Sequence, residues 1–345
     1  LDKVGFAVVG LGVIGQVHAS NISSLEGCRL VAVVDQLRAR AEEAGKRFGA
    51  IPYCSIDEAL RNPEVEAVVI ATPSYLHAPQ ALYALQNGRH VLVEKPMATT
   101  LKGAQLITRT AERMGLRLGV VFQERFLEAA KRLKEAISNG MLGRVYLIEA
   151  ELKWWRGEGE YYRSDPVACS WRGYWETEGG GVLMNQAIHT IDLMLWFGGD
   201  AEEVSGMTAN ALHPSIEVED VATAVIKFKN GSLGTISATV NTQPTTRQYR
   251  KIRLYGEKGQ AEIHDLSLSM WMDGGEVYVD GSMIGFGELH KRLVAEFASC
   301  IKSGSEFLVG GAEGVRSLEL IKAIYLSSRR GEFITLPPTE DVYAL

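Results

Sequence analysis

At 345 residues the chain exceeds one ordinary domain, so two domains are expected, and an apolar share of 46% is enough to build their cores. A formal net charge of −6 argues against nucleic acid as a partner, because binding phosphate backbones needs basic patches. No apolar run is long enough to span a bilayer and no signal-peptide pattern opens the chain, which points to a soluble cytoplasmic protein with no membrane partner.

Up to Phe122, short apolar strands alternate with helical patterns. Strands read as FAVVG (6–10), LVAVVD (30–35), EAVVIAT (66–72), HVLVEK (90–95) and RLGVVF (117–122). Helices read over 16–25, 37–48, 56–61, 75–86 and 101–113. Strands apolar on both faces and separated by helices form a parallel sheet covered on both sides, with ligands at the carboxyl ends of its strands. Beyond Phe122 an amphipathic helix ends at Gly140, followed by the strand RVYLIEAELKWW and a long loop. Next come a glycine-opened helix (179–199), a hairpin around Asn230-Gly231, two further strands, and helices over about 288–303 and 311–329. The expected class is therefore α/β. Residues 1–122 form a doubly wound parallel domain, and 123–345 an α+β domain on a large, mainly antiparallel open sheet. The hairpin strands VATAVIKF and LGTISATV carry apolar residues on both alternating faces. One face is expected to cover the domain's own helices and the other a symmetry mate, as a homodimer or homotetramer.

Cys28, Cys54, Cys169 and Cys300 are scattered, with no spacing to one another or to histidine that suits a metal, so no metal is expected. Free thiols are the simplest reading; a Cys28–Cys54 bridge is left open.

The segment VVGLGVIG holds Gly10, Gly12 and Gly15 as G-x-G-x-x-G, after a predicted strand and at the start of a predicted helix. Gly10 permits the tight turn, Gly12 lets backbone approach a pyrophosphate, and Gly15 allows close helix–strand packing, with Val13 and Ile14 between them at the helix N-terminus. Asp35 ends the second strand, twenty positions after Gly15, where a carboxylate binds a ribose 2′-hydroxyl. NAD is therefore expected over NADP, with Arg38 and Arg40 the residues that would reverse the choice by holding a 2′-phosphate. Thr72 and Pro73 in ATPSYLH lie at a further strand tip, beside the nicotinamide half of the cofactor. His77 follows on the next helix; it is counted with Thr72 and Pro73 on the cofactor side and read as a helix-surface histidine rather than a catalytic one.

With EKP (94–96) and GGGVLMNQAIHTID (179–192), these motifs occur in an order that resembles the Gfo/Idh/MocA oxidoreductases, the glucose–fructose oxidoreductase and inositol dehydrogenase group. The resemblance covers essentially the whole chain. It implies a Rossmann domain, a nicotinamide-dependent dehydrogenase acting on a secondary alcohol of a sugar, sugar nucleotide or cyclitol, and dimers or tetramers joined through the second sheet. It also implies a substrate cleft between the Rossmann domain and that sheet. Lys95 becomes a catalytic residue at a strand tip that also borders the cofactor, its backbone held extended by Pro96 across a bond that is commonly cis in this family. Glu94 either pairs locally or touches the cofactor ribose.

Removing a hydride from a carbinol carbon leaves a hydroxyl proton to be taken and a developing alkoxide to be held. Asn185, His189 and Asp192 fall at i, i+4 and i+7, on one face of the expected helix. The match to the family's catalytic helix makes His189 the base, with Asp192 orienting its ring. Many members carry Asp where this chain has Asn185, which cannot relay a proton; members that oxidise UDP-linked amino-sugar uronates resemble this chain in having Asn there. The loop 153–176 is dense in Trp, Tyr and Arg. It serves either to grip a sugar, with Arg163 or Arg172 forking onto a carboxylate or phosphate, or to pack or form a contact between copies. Tyr162, Arg172 and Arg125 are the individual residues expected to touch substrate, with Lys95, Asn185 and His189. A hydrolase or lyase that retains NAD and oxidises its substrate transiently would use the same residues. A non-catalytic dinucleotide sensor would need neither Lys95 nor His189.

Overall fold

The computed structural model describes residues 3–342. The chain divides into two compact units. One runs to Gln123 and adds Gly285–Val315; the other is Glu124–Ile284 with the stretch from Arg316 onward.

In the first unit, β1 (Val4–Val9), β2 (Cys28–Val34), β3 (Ile51–Tyr53), β4 (Ala67–Ile70), β5 (His90–Val93) and β6 (Leu118–Val120) form one parallel sheet in the order β3-β2-β1-β4-β5-β6. Residues of β1, β4 and β6 are buried throughout, as are Val91–Val93 of β5, which accounts for their unbroken apolar runs. Helices α1 (Val13–Ser24), α2 (Arg38–Phe48), α3 (Ile56–Leu60), α4 (His77–Gln86) and α5 (Leu101–Met114) connect successive strands. The strand order reverses between β1 and β4, and such a reversal opens a crevice at the carboxyl ends of a doubly wound sheet. β3 carries Pro52 and sits at the sheet edge, where a missing N–H is tolerated.

The second unit contains α6 (Glu128–Ser138) and β7 (Val145–Lys153), then three short helices, α7 (Pro166–Trp171), α8 (Trp175–Glu178) and α9 (Val182–Asn185), and α10 (Ile188–Gly198). Its sheet adds β8 (Ala201–Ala209), β9 (Val221–Phe228), β10 (Leu233–Thr239), β11 (Tyr249–Gly256), β12 (Gly259–His264), β13 (Ser267–Met272), β14 (Gly275–Val279) and β15 (Ile334–Thr335). The order is β14-β13-β12-β11-β7-β10-β9-β8-β15, with β7 and β10 parallel and every other pair antiparallel. α10 lies close against this sheet: a Cβ on Gly198 would collide with Ile148 and Phe228, and one on Gly234 with Met194.

Three expectations change. The helix α11 (Glu288–Ser303), read from sequence into the second domain, belongs to the first unit, where Asn21 of α1 donates to the Gly287 carbonyl at 3.0 Å and the His18 and His290 rings meet edge to face. The final helix α12 (Gly311–Arg330) contains the boundary between the units. The hairpin strands are not apolar on both faces: β9 buries Ala222, Ala224, Ile226 and Phe228, while Thr223, Val225 and Lys227 face outward. On the neighbouring β7 and β11 the outward positions hold Glu149, Glu151, Lys251 and Arg253, several of them paired across strands. All four cysteines are free, so Cys28 and Cys54 are not bridged. Among the described residues no helix is long and apolar enough to cross a membrane.

Candidate active site

The glycine cradle of the first unit is built by exclusion. Gly10 has φ 89° and lies so close to Ala71 that a Cβ would meet its carbonyl at 2.6 Å; a Cβ on Gly15 would overlap the Gly10 carbonyl. Gly12 is different, since a Cβ there would meet nothing within 4 Å, and it caps α1 without any side-chain acceptor. The first N–H groups of α1 are thus left for an anion, with Val13 exposed beside them and Ile14 half-buried.

Asp35 stands at the tip of β2 and is fastened to that cradle. Its carboxylate accepts from the Leu11 N–H at 3.1 Å and the Leu37 N–H at 3.0 Å. Arg40 reaches Asp35 at 3.3 Å, whereas the exposed Arg38 lies 3.8 Å from Glu42. The guanidinium that could have read a 2′-phosphate is therefore paired with the carboxylate that would repel one. NAD should bind at least about tenfold tighter than NADP, ~1.4 kcal/mol, and Asp35→Ser should narrow that gap. A wild-type preference for NADP in competition binding would show that Arg38 or Arg40 reads the phosphate.

His77 is neither a surface residue nor loose. It is buried, with Nδ1 2.7 Å from the Pro96 carbonyl and Nε2 2.7 Å from the Thr72 carbonyl. Burial pushes its imidazolium pKa down while the two carbonyls pull the other way. The ring ties the loop that follows β4, with Thr72 and Pro73, to the loop that carries Lys95. Thr72 is further held by donating to Gln80 at 2.8 Å. Lys95 is half-buried at the end of β5, and the Lys95–Pro96 bond is cis. Glu94 pairs locally, with Oε1 2.9 Å from His18 Nε2 and Oε2 accepting the Lys95 N–H.

In the second unit the helix expected over 179–199 is broken. The Ala187 N–H bonds back to the Val182 carbonyl, five residues earlier, and this wide turn separates α9 from α10. Asn185 ends the first piece and His189 sits in the first turn of the second, each 8% exposed. Asp192 accepts from Arg125 through both carboxylate oxygens, at 2.9 and 2.7 Å. This changes the reading of Arg125, which is buried in an ion pair beneath α10 rather than presented to substrate; Asp192 is held by it.

A carboxylate that sequence reasoning missed explains Asn185. Glu178 is buried, accepts from the Gly173 N–H at 2.6 Å, and accepts from the Asn185 side-chain amide. An aspartate at 185 would set a second carboxylate against Glu178, which a buried site resists. The one available signal was a Glu directly before the glycine triplet. Glu219 was missed too. It lies just before β9, and its side chain accepts from the Gly181 and Leu183 N–H groups at 2.8 and 2.9 Å and from the Tyr325 hydroxyl at 2.8 Å. Burial raises its carboxyl to about 7 against those donors. The triplet is required because Cβ atoms on Gly180 and Gly181 would strike Tyr325 and the Glu219 backbone.

The aromatic loop divides. Tyr162 is 1% exposed in a cluster with Ile216 and Val218, so it is a core residue rather than a substrate contact. Its neighbour Tyr161 is the one turned toward the helix break, where Gln186 Nε2 donates to its hydroxyl at 3.2 Å. Arg163 spends its guanidinium on the Tyr162, Arg172 and Ser215 carbonyls, stapling the loop. Arg172 stacks on Tyr161 at 4.2 Å and donates to its carbonyl, while its Nε is buried without a hydrogen-bond partner among the described residues.

A glycine cradle open to a pyrophosphate, a fixed ribose-side carboxylate and a lysine at a strand tip define a dinucleotide-dependent dehydrogenase. Residues 4–122 match the family described as "Oxidoreductase family, NAD-binding Rossmann fold", and residues 134–336 its "Oxidoreductase family, C-terminal alpha/beta domain". The chain belongs to this Gfo/Idh/MocA oxidoreductase family and is an NAD-dependent enzyme. It is 28% identical over 342 residues to scyllo-inositol 2-dehydrogenase (NAD(+)) of Bacillus subtilis, covering 95% of each chain. It is 25% identical to myo-inositol 2-dehydrogenase of Thermotoga maritima, covering 91% of this chain and 92% of the relative. Among solved structures, the WlbA dehydrogenase from Bordetella pertussis in complex with NADH and UDP-GlcNAcA is 33% identical, with a TM-score of 0.85 over 97% of this chain and 99% of that one.

Proposed function

We propose that the protein oxidises a secondary ring hydroxyl of a nucleotide-linked amino-sugar uronate. The observation that carries this reading is the buried Asn185–Glu178 pair, which makes asparagine the fitting residue four positions before His189. The likeness to a dehydrogenase solved with NADH and UDP-GlcNAcA supports it.

Gly10, Gly12 and Gly15, with Val13 and Ile14, would hold the pyrophosphate, Asp35 a ribose, and Thr72, Pro73 and Glu94 the nicotinamide half. Bound NAD supplies the hydride acceptor. His189 takes the proton of the reacting hydroxyl, for which an imidazole is suited near neutral pH. Lys95 donates to the same oxygen and stabilises the charge that develops on it. Asn185, its amide fixed by Glu178, holds a neighbouring hydroxyl, and Arg172 presents its guanidinium to a carboxylate or phosphate.

A turnover screen with NAD separates the options. NADH should accumulate with UDP-N-acetylglucosaminuronate and much more slowly with free inositols or unsubstituted hexoses. A preference for inositol would remove the nucleotide-sugar assignment, and no NADH with any of them would remove the dehydrogenase reading of this site.

A further inference from the structure

His18 lies on the second turn of α1 with its ring wholly buried, Nε2 2.9 Å from Glu94 Oε1. Glu94 is itself 5% exposed at the end of β5, directly before Lys95. A third element closes over the pair. α11 brings His290 edge-on to His18, with ring centroids 5.6 Å apart, and the start of α11 is fixed by the bond from Asn21 to the Gly287 carbonyl. The groups facing Glu94 are thus His18 from α1, His290 from α11, His77 from α4 and the adjacent Lys95. Neither the glycine cradle nor the proton chemistry assigned to Lys95 and His189 requires two histidines here.

Sealing a carboxylate from water is costly unless a donor compensates. Burial alone would raise the Glu94 carboxyl; the hydrogen bond from His18, with the nearby charges, instead holds it down at about 2. His290 is pushed by burial to about 4, so it is neutral at physiological pH and acts by packing against the His18 ring.

We propose that His18, backed by His290, is a positioning residue that fixes the Glu94 carboxylate at the tip of β5 for contact with a ribose of bound NAD. This rests on the placement of Glu94 in the cofactor site made above. The test is NADH binding, read by fluorescence titration from mildly acidic to mildly alkaline pH, and it needs no sugar substrate. Glu94→Ala should weaken NADH about tenfold, the scale of one charge-assisted hydrogen bond. His18→Leu should weaken it about as much and make binding fall off more steeply toward acid pH than in the wild type. Without its donor the buried carboxyl titrates higher, so affinity should fall as the pH is lowered. His18→Gln places an amide nitrogen where Nε2 stood and should retain affinity within about threefold. His18→Asn, whose amide stops short at the Nδ1 position, should not, and this pair serves if the leucine variant does not fold. A purely structural role would give equal losses at every pH and no rescue by glutamine. Wild-type affinity in His18→Leu beside a weakened Glu94→Ala would overturn the positioning role alone. Wild-type affinity in both would remove Glu94 from the cofactor site, and the proposal with it.

Discussion

His189→Ala should lower turnover about 10²–10⁴-fold while leaving NADH affinity unchanged, the loss expected when a general base is removed and water takes its place. His189 occupies the first turn of α10, beyond the wide turn made by the Ala187–Val182 hydrogen bond. Beneath that helix the buried Arg125–Asp192 pair fixes Asp192, one turn further on. Breaking such a pair leaves a buried charge, so Asp192→Asn should damage folding as well as catalysis and is the poorer probe. His189→Ala leaves both charges of that pair in place, and a thermal melt closer to wild type than that of Asp192→Asn should accompany the lost activity. Turnover within a few-fold of wild type would show that another group takes the proton.

Lys95→Ala is the second large effect, about 10²–10³-fold in turnover, the scale of losing one donor to a developing oxyanion. NADH should still bind, because the pyrophosphate cradle lies at Gly10 to Gly15 and Asp35, each held by contacts of its own. Lys95→Arg should not rescue. A planar guanidinium cannot reproduce the reach of an ammonium on a stem rooted between buried Glu94 and buried Pro96. A variant that lost cofactor binding and turnover together would make Lys95 a cofactor ligand rather than a donor to the alkoxide.

Much of this architecture was legible in the sequence, and the exceptions share physical causes. The parallel sheet could be read because β1, β4, β6 and Val91–Val93 of β5 are buried on both faces and so are continuously apolar. The cradle was legible because Gly10 and Gly15 each answer a separate steric demand, while Gly12 leaves the start of α1 open. β3 escaped notice, being three residues long with a proline at its centre. An amphipathic helix shows which face is apolar but not what it packs against, and α11 accordingly went to the wrong unit. The break between α9 and α10 carries no glycine or proline at 186–187; it comes from a backbone bond that sequence does not reveal. Tyr161 and Tyr162 are identical neighbours, and only the fold decides that one packs in the core and the other meets Gln186. Glu178 and Glu219 lay in segments read as loop and strand margin, where a carboxylate ordinarily faces water.

The double substitution Lys95→Ala with His189→Ala tests the central claim most directly, namely that both residues act on one hydroxyl oxygen. With the single variants measured under the same conditions, the combined loss in turnover should fall well short of the product of the two, because groups serving one proton transfer are not additive. Fully multiplicative losses would contradict the account and assign Lys95 and His189 to independent steps.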